Sequence, residues 1–173
     1  QLRFAGRVSA EPVVENGRAE ISFAVDDRWL DKPFLETFKG TGGAEGQPEQ
    51  RGLSKPLALG APQGVPGVLI DPVRWIYALS SYGQIENVDA PLERLARQFG
   101  PSSGDYPSFA ALSAATVPAG SWATSKTAGL ARLGAPPYGK ICFLVKGDKA
   151  GPDGWVRRAG AIIKRIATLA GGD

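Results

Sequence analysis

The 173-residue sequence has no histidine, no methionine and a single cysteine, Cys142. Each absence removes some chemistry. Without histidine the chain lacks the commonest general base and the commonest metal-ligating side chain. Neither a Ser–His nor a Cys–His nucleophile can be assembled from its own residues. One cysteine excludes an internal disulfide framework and a cysteine-based zinc site. In "KICFLVK", Cys142 reads as a small buried hydrophobe. No apolar run approaches the roughly 18 residues of a membrane-spanning helix. No signal peptide is visible, because "QLRFAGRVS" already reads as a strand. The chain begins on Gln1, which leads us to expect a processed chain or a portion of a longer one.

Charge is sparse too. Twenty Lys and Arg face 17 Asp and Glu, for a net charge of +3. That is mildly basic and lacks the dense cationic patch of a nucleic-acid binder, so sequence-specific nucleic acid is not expected as a partner. What is plentiful is glycine and proline, with 23 and 14 residues. Such a content points to many turns joining short strands. Hydrophobic residues make up 43%, enough for a packed core. The expected fold class is α+β: a β-rich module of short antiparallel strands, a short helix near 106–116 and a C-terminal amphipathic helix near 154–170.

Three blocks follow one another, and we expect them to pack as one compact unit. Residues 1–39 form an N-terminal β-hairpin segment. "LRFAGRVS" and "AEISFAVDD" alternate, with Ile21, Phe23 and Val25 on one face, and "ENG" supplies the turn. "RWLDKPFLETF" reads as irregular. Residues 40–100 are a Gly/Pro-rich strand module. It opens on the loop "GTGGAEGQPEQRGLS" and holds four strand candidates, "PLALG", "GVLID", "VRWIYALS" and "GQIENVDA". "VRWIYALS" is apolar on both faces, so both need cover, from the core or from another subunit. "PLERLARQFG" extends the preceding strand or forms a short helix. Residues 101–173 are a helix-strand-strand-helix module. Asp105 caps a helix in "GDYPSFAALSAATVPAG", which Pro118 and Gly120 stop. "SWATSKTAGLARLG" and "GKICFLVKGD" read as two strands. In the last helix Trp155, Ala159, Ile162, Ile163 and Ile166 form one stripe, with Asp153 as cap and Gly171 as stop.

Several motifs imitate binding sites. "GAPPYGK", Gly134 to Lys140, fits the first seven positions of a phosphate-binding P-loop. A P-loop cradles phosphate with successive backbone N–H groups, and Pro136 and Pro137 have none. Ile141 stands where the magnesium-binding hydroxyl belongs, and a strand follows where a helix should. A structural turn is the better reading. "GTGGAEG" misses the dinucleotide fingerprint by one position and reads as a loop. "GDKAGPDG" offers Asp148 and Asp153, too few oxygens for calcium. The Asp26–Asp27 pair is the one carboxylate pair we weigh for glycosidic chemistry. Residues 146–165 carry six Lys or Arg and two Asp, which suits a solvated helix face or a contact with a partner. No catalytic residue, cofactor or metal is assigned, and a non-enzymatic role is expected. The candidates for subunit contact are Val73, Trp75, Tyr77, Leu79, Arg157 and Arg158.

The order of segments carries a resemblance. "GTGGAEG", "KPLALG", "VPGVLIDPVRWIYALS", "GDYPSFAALSAATVPAGSWAT", "LARLGAPPYGKICFLVKGD" and "GWVRRAGAIIKRIATLAG" follow one another as in one family. The chain resembles the tail-tip proteins (baseplate hub and fibre-bearing) of long-tailed bacteriophages and gene transfer agents. The matching stretches are Lys55–Gly60, Val68–Tyr77 and Asp105–Thr124, and Gly160–Ile166 is similar to the helix that ends the module. The chain departs from the pattern at Ala78–Gly83 and at Trp122. The resemblance implies a structural protein of the virion, made in the bacterial host cytoplasm. Its partners would be copies of itself in a homotrimer and other tail proteins: distal tail, tail tube, and fibre or receptor-binding proteins. The family supplies no catalytic residues to carry over. Two other readings are a carbohydrate- or receptor-binding module of the same apparatus, which would need exposed tryptophans, and a cell-wall hydrolase, which would need facing carboxylates.

Overall fold

The computed structural model describes residues 6–8, 10–11, 13–15, 18–25, 33–96, 99–151 and 154–171. The chain divides into two units, residues 1–34 with 167–173, and residues 35–166. In the smaller unit, β1 (Gly6–Val8) pairs antiparallel with β4 (Phe23–Val25), and β2 (Val13–Glu15) with β3 (Arg18–Glu20). The expected N-terminal hairpin is therefore two nested antiparallel pairs. "AEISFAVDD" is broken at Ile21–Ser22, with Ile21 exposed. Asn16 and Gly17 of the turn, Asp26, Asp27 and Trp29 lie outside the described residues.

The larger unit contains β5 (Val65–Pro66), β6 (Val68–Asp71), β7 (Ile76–Ala78), β8 (Ile85–Glu93), β9 (Ser102–Asp105), α1 (Phe109–Ala114), β10 (Trp122–Ser125), β11 (Leu130–Leu133) and β12 (Ile141–Asp148). Helix α2 (Ala159–Leu169) begins in this unit. Five strands form one sheet in the order β6-β7-β11-β10-β9, and three form another in the order β5-β12-β8. Pairing in these sheets is antiparallel except between β9 and β10. The chain thus has the α+β, β-rich fold that its composition suggested.

Alternation along the middle strands builds the core. Tyr77, Leu79, Ala131, Leu133 and Trp122 join Phe143, Val145, Ile85 and Val88 in one buried cluster, which draws on both sheets. The rings of Tyr77 and Phe143 lie 5.5 Å apart and tilted, linking β7 to β12. Ile76, Ala78, Leu130 and Ala123 carry the other register and meet Phe38, Ile70, Leu112 of α1 and Val117. Period-two side-chain direction therefore buries both faces of β7 and β11. The cover that "VRWIYALS" demanded comes from the chain's own core.

Local chemistry moved several boundaries. Residues 72–75 are a turn, so β7 starts only at Ile76. Pro72 fixes φ, the buried Asp71 accepts bonds from the N–H groups of Val73 and Arg74 (both 3.0 Å), and Trp75 adopts φ 55°. "PLALG" forms no strand, and "PLERLARQFG" continues β8 as far as Glu93. Asp105 ends β9 and does not cap α1; the cap is Ser108, whose hydroxyl accepts from Ala111 N–H at 3.2 Å. "SWATSKTAGLARLG" is a hairpin of two strands, β10 and β11. Helix α2 starts at Ala159, so Trp155 precedes it, and Asp153 lies outside the described residues. Residues 40–100 and 101–173 share sheets, because β12 pairs with β5 and β8, and β11 pairs with β7.

Candidate interaction surface

The charged residues within the apolar segments are engaged in holding the chain to itself. Lys55, the lone charge in "KPLALG", is buried. Its Nζ lies 2.8 Å from Glu45 Oε1 and 3.3 Å from Glu36 Oε2. Burial pulls the Lys55 ammonium down, but its bonds to Glu45 and Glu36 outweigh this and hold it above the ordinary lysine range. The bond from Lys55 in turn holds Glu45 below the ordinary glutamate range, against the opposing effect of burial. Glu36 also donates its backbone N–H to the Tyr82 hydroxyl. The sequence hinted at this cluster through a single lysine set in an apolar run, but not at its partners.

The matching stretch Asp105–Thr124 is closed in the same way. Asp105 accepts the Thr124 hydroxyl at 2.7 Å and the Lys126 N–H at 2.9 Å, tying the two ends of "DYPSFAALSAATVPAGSWAT" together. Arg132 of β11 points Nη1 at the carbonyls of Leu112, Ser113 and Ala115, each at 2.8 Å. One guanidinium nitrogen thus satisfies the C-terminal end of α1. The Trp122 indole donates to the Gly100 carbonyl at 3.0 Å.

The six contact candidates separate. Tyr77 and Leu79 are core residues, 6% and 0% exposed, so their surfaces serve the chain's own interior and leave the list. Trp75 is half-buried and packs on the first core cluster. Val73, 81% exposed at the β6–β7 turn, is presented to solvent. Arg157 and Arg158 are exposed ahead of α2. Arg157 lies over the Trp155 ring at 5.8 Å, with Lys146 at 6.0 Å from the same ring. The Trp155 indole donates to the Gly60 carbonyl at 3.0 Å. Exposed apolar residues that the sequence reading did not single out include Leu53 (54%), Leu95 (74%) and Tyr138 (93%). Nothing in a single sequence separates such loop residues from core ones, since both are apolar.

The motif imitations resolve into packing. Gly134 of "GAPPYGK" approaches the Pro118 carbonyl so closely that a β-carbon there would sit 1.9 Å from its oxygen. Gly139 donates its N–H to the buried Glu93 carboxylate. The first glycine is thus set by backbone packing. Asp148 of "GDKAGPDG" is 1% exposed and bonded to Ala150 N–H and Arg165, so its carboxylate is not offered to a cation. Among the described residues no cluster of His, Cys, Asp or Glu could hold a metal ion, and no helix is long and apolar enough to cross a membrane. Cys142 is a free, buried thiol in β12. Among the described tryptophans none is exposed: Trp122 is buried, and Trp75 and Trp155 are half-buried. Comparisons with protein-family models, curated proteins and solved structures find no match to this chain.

Proposed function

We propose that this chain is a structural, non-catalytic component of a phage-like tail tip, forming the hub or attachment platform at the distal end of the tail tube. The resemblance of its ordered segments is the source of this reading. One observation supports it: polar residues of the matching stretches are engaged in intramolecular closure. Lys55 is clamped by two glutamates, Asp71 organises the turn before β7, and Asp105 bonds Thr124. Residues used in this way suit a scaffold better than a ligand site. Exposed Val73, Arg157 and Arg158 are then the surfaces for neighbouring copies and other tail proteins, and a threefold ring is the proposed assembly.

Antibodies raised against the purified chain test this by immunogold labelling of particles from the source organism. Label confined to the distal end of tails is the expected outcome. Recovery of the chain as a free monomer, with unlabelled tails, would sink the reading. Label along fibres alone would favour the receptor-binding alternative.

A further inference from the structure

Residues 39–52 leave the core and return to it. Their ends are closed by backbone bonds, from Phe38 N–H to the Leu53 carbonyl and from Gly52 N–H to the Phe38 carbonyl, both 2.9 Å. Thr37 and Ser54 bridge just outside. This is the geometry of an Ω-loop, a class often used for function. Phe38, 1% exposed, anchors its foot. Between 39 and 52 no side chain is buried.

The loop lies on an edge. β6 is the terminal strand of the five-stranded sheet, and it carries a bulge between Leu69 and Asp71. The Gln50 side-chain amide donates to the Leu69 carbonyl at 2.6 Å, and that of Gln47 to the Ile70 carbonyl at 3.1 Å. Two side-chain amides therefore stand where a neighbouring strand would place its N–H groups. Gly43 rests against the Phe109 ring of α1. The remaining hold is the Glu45–Lys55 pair at 2.8 Å, with the second Glu45 oxygen on Lys39 N–H at 3.2 Å.

We propose that residues 39–52 form a releasable cover over the β6 edge, latched by Glu45 and Lys55, which opens while both sheets stay folded. No side chain of the loop is buried in the core, so none is withdrawn when the loop leaves. Lys55 keeps Glu36 when Glu45 departs, so no buried charge is stranded. Opening uncovers the Leu69 and Ile70 carbonyls, the groups an added β-strand engages. Acid favours the open form, because protonating Glu45 removes the charge that Lys55 holds. Among the described residues the other titratable groups around the latch include Glu36, Lys39 and Tyr82, with the Asp71–Arg74 pair at the end of β6; α1 has no titratable side chain. The inference does not depend on the tail-tip reading.

Hydrogen exchange of the whole chain, read by mass spectrometry, tests it. The bonded amide of Gly52, whose partner is the Phe38 carbonyl at the foot of the loop, should exchange through an opening faster than those of β7, β11 and β12. Glu45→Gln should raise that opening by about tenfold, the factor that goes with losing one charge-assisted hydrogen bond. A Gln47→Ala, Gln50→Ala double variant should act in the same direction. Trypsin cleavage after exposed Arg51 should accelerate in parallel, with β12 protection reporting whether the global fold is intact. Exchange of 39–52 at the core rate, no protection there at all, or wild-type rates in both variants would each overturn the proposal.

Discussion

Arg165 of α2 places its Nε 2.5 Å from Oδ2 of Asp148, the last residue of β12. The Asp148 side chain is 1% exposed and that of Arg165 20%. The other carboxylate oxygen accepts Ala150 N–H at 3.0 Å. This pair ties the middle of α2 to the end of β12 in the three-stranded sheet. Arg165→Ala leaves a buried carboxylate without its counter-charge, and we expect about 3 kcal/mol of lost stability in urea unfolding. An Arg165→Met, Asp148→Leu double variant should recover much of that loss, because the desolvation cost disappears with the charges.

Arg132 is the second structural cation. Its Nη1 serves three carbonyls at the end of a helix of only six residues, while its Nε is buried with no hydrogen-bond partner among the described residues. Arg132→Met should cost about 2 kcal/mol and release amide protection in α1 before the sheets. Equal loss of protection in α1 and β12 would show that the arginine does not act on the helix end.

Two glycines should respond in opposite directions. Gly134→Ala drives a β-carbon into the Pro118 carbonyl, and backbone cannot swing aside as a side chain does. We expect about 3 kcal/mol of destabilisation by thermal unfolding. Gly160 lies in α2 with open space around it. Gly160→Ala should stabilise by about 0.5–1 kcal/mol, since alanine restricts the unfolded chain and favours helix.

Tyr77 links the fold to alkaline pH. Burial, aided by the nearby Glu93 charge, pushes its phenol up to about 12. The folded state therefore holds the proton more tightly than the unfolded state does. Its contribution to stability is complete below pH 10 and is lost as pH rises from there through about 12. Burial also raises Tyr82, so ultraviolet absorbance should show two late-ionising tyrosines, and Tyr77→Phe should remove the one near pH 12. The variant should also lose less stability than the wild type over that range.

Much of the fold was legible before any coordinate. Glycine and proline content signalled short strands, and Ile162 and Ile166 marked α2, although Ile163 of the expected stripe is 68% exposed. Alternating apolar residues showed that "VRWIYALS" needed cover on both faces. What misled was residue type without neighbours. Val73 and Trp75 are β-formers, yet Pro72 and the Asp71 carboxylate turn the chain there. Asp105 is as good a cap as Ser108 by type, but β9 claims it.

The sequence by itself determined which residues had to be buried, where turns were compulsory and which chemistry was missing, because hydrophobicity, φ restriction and the absence of histidine are local properties. Only the tertiary structure decided that Tyr77 and Leu79 face inward while Val73 faces solvent. It alone brought Lys55 to Glu36 and Glu45, and Arg165 to Asp148. Those pairings join residues 10, 17 and 19 positions apart, and only the folded path of the chain sets their separation in space.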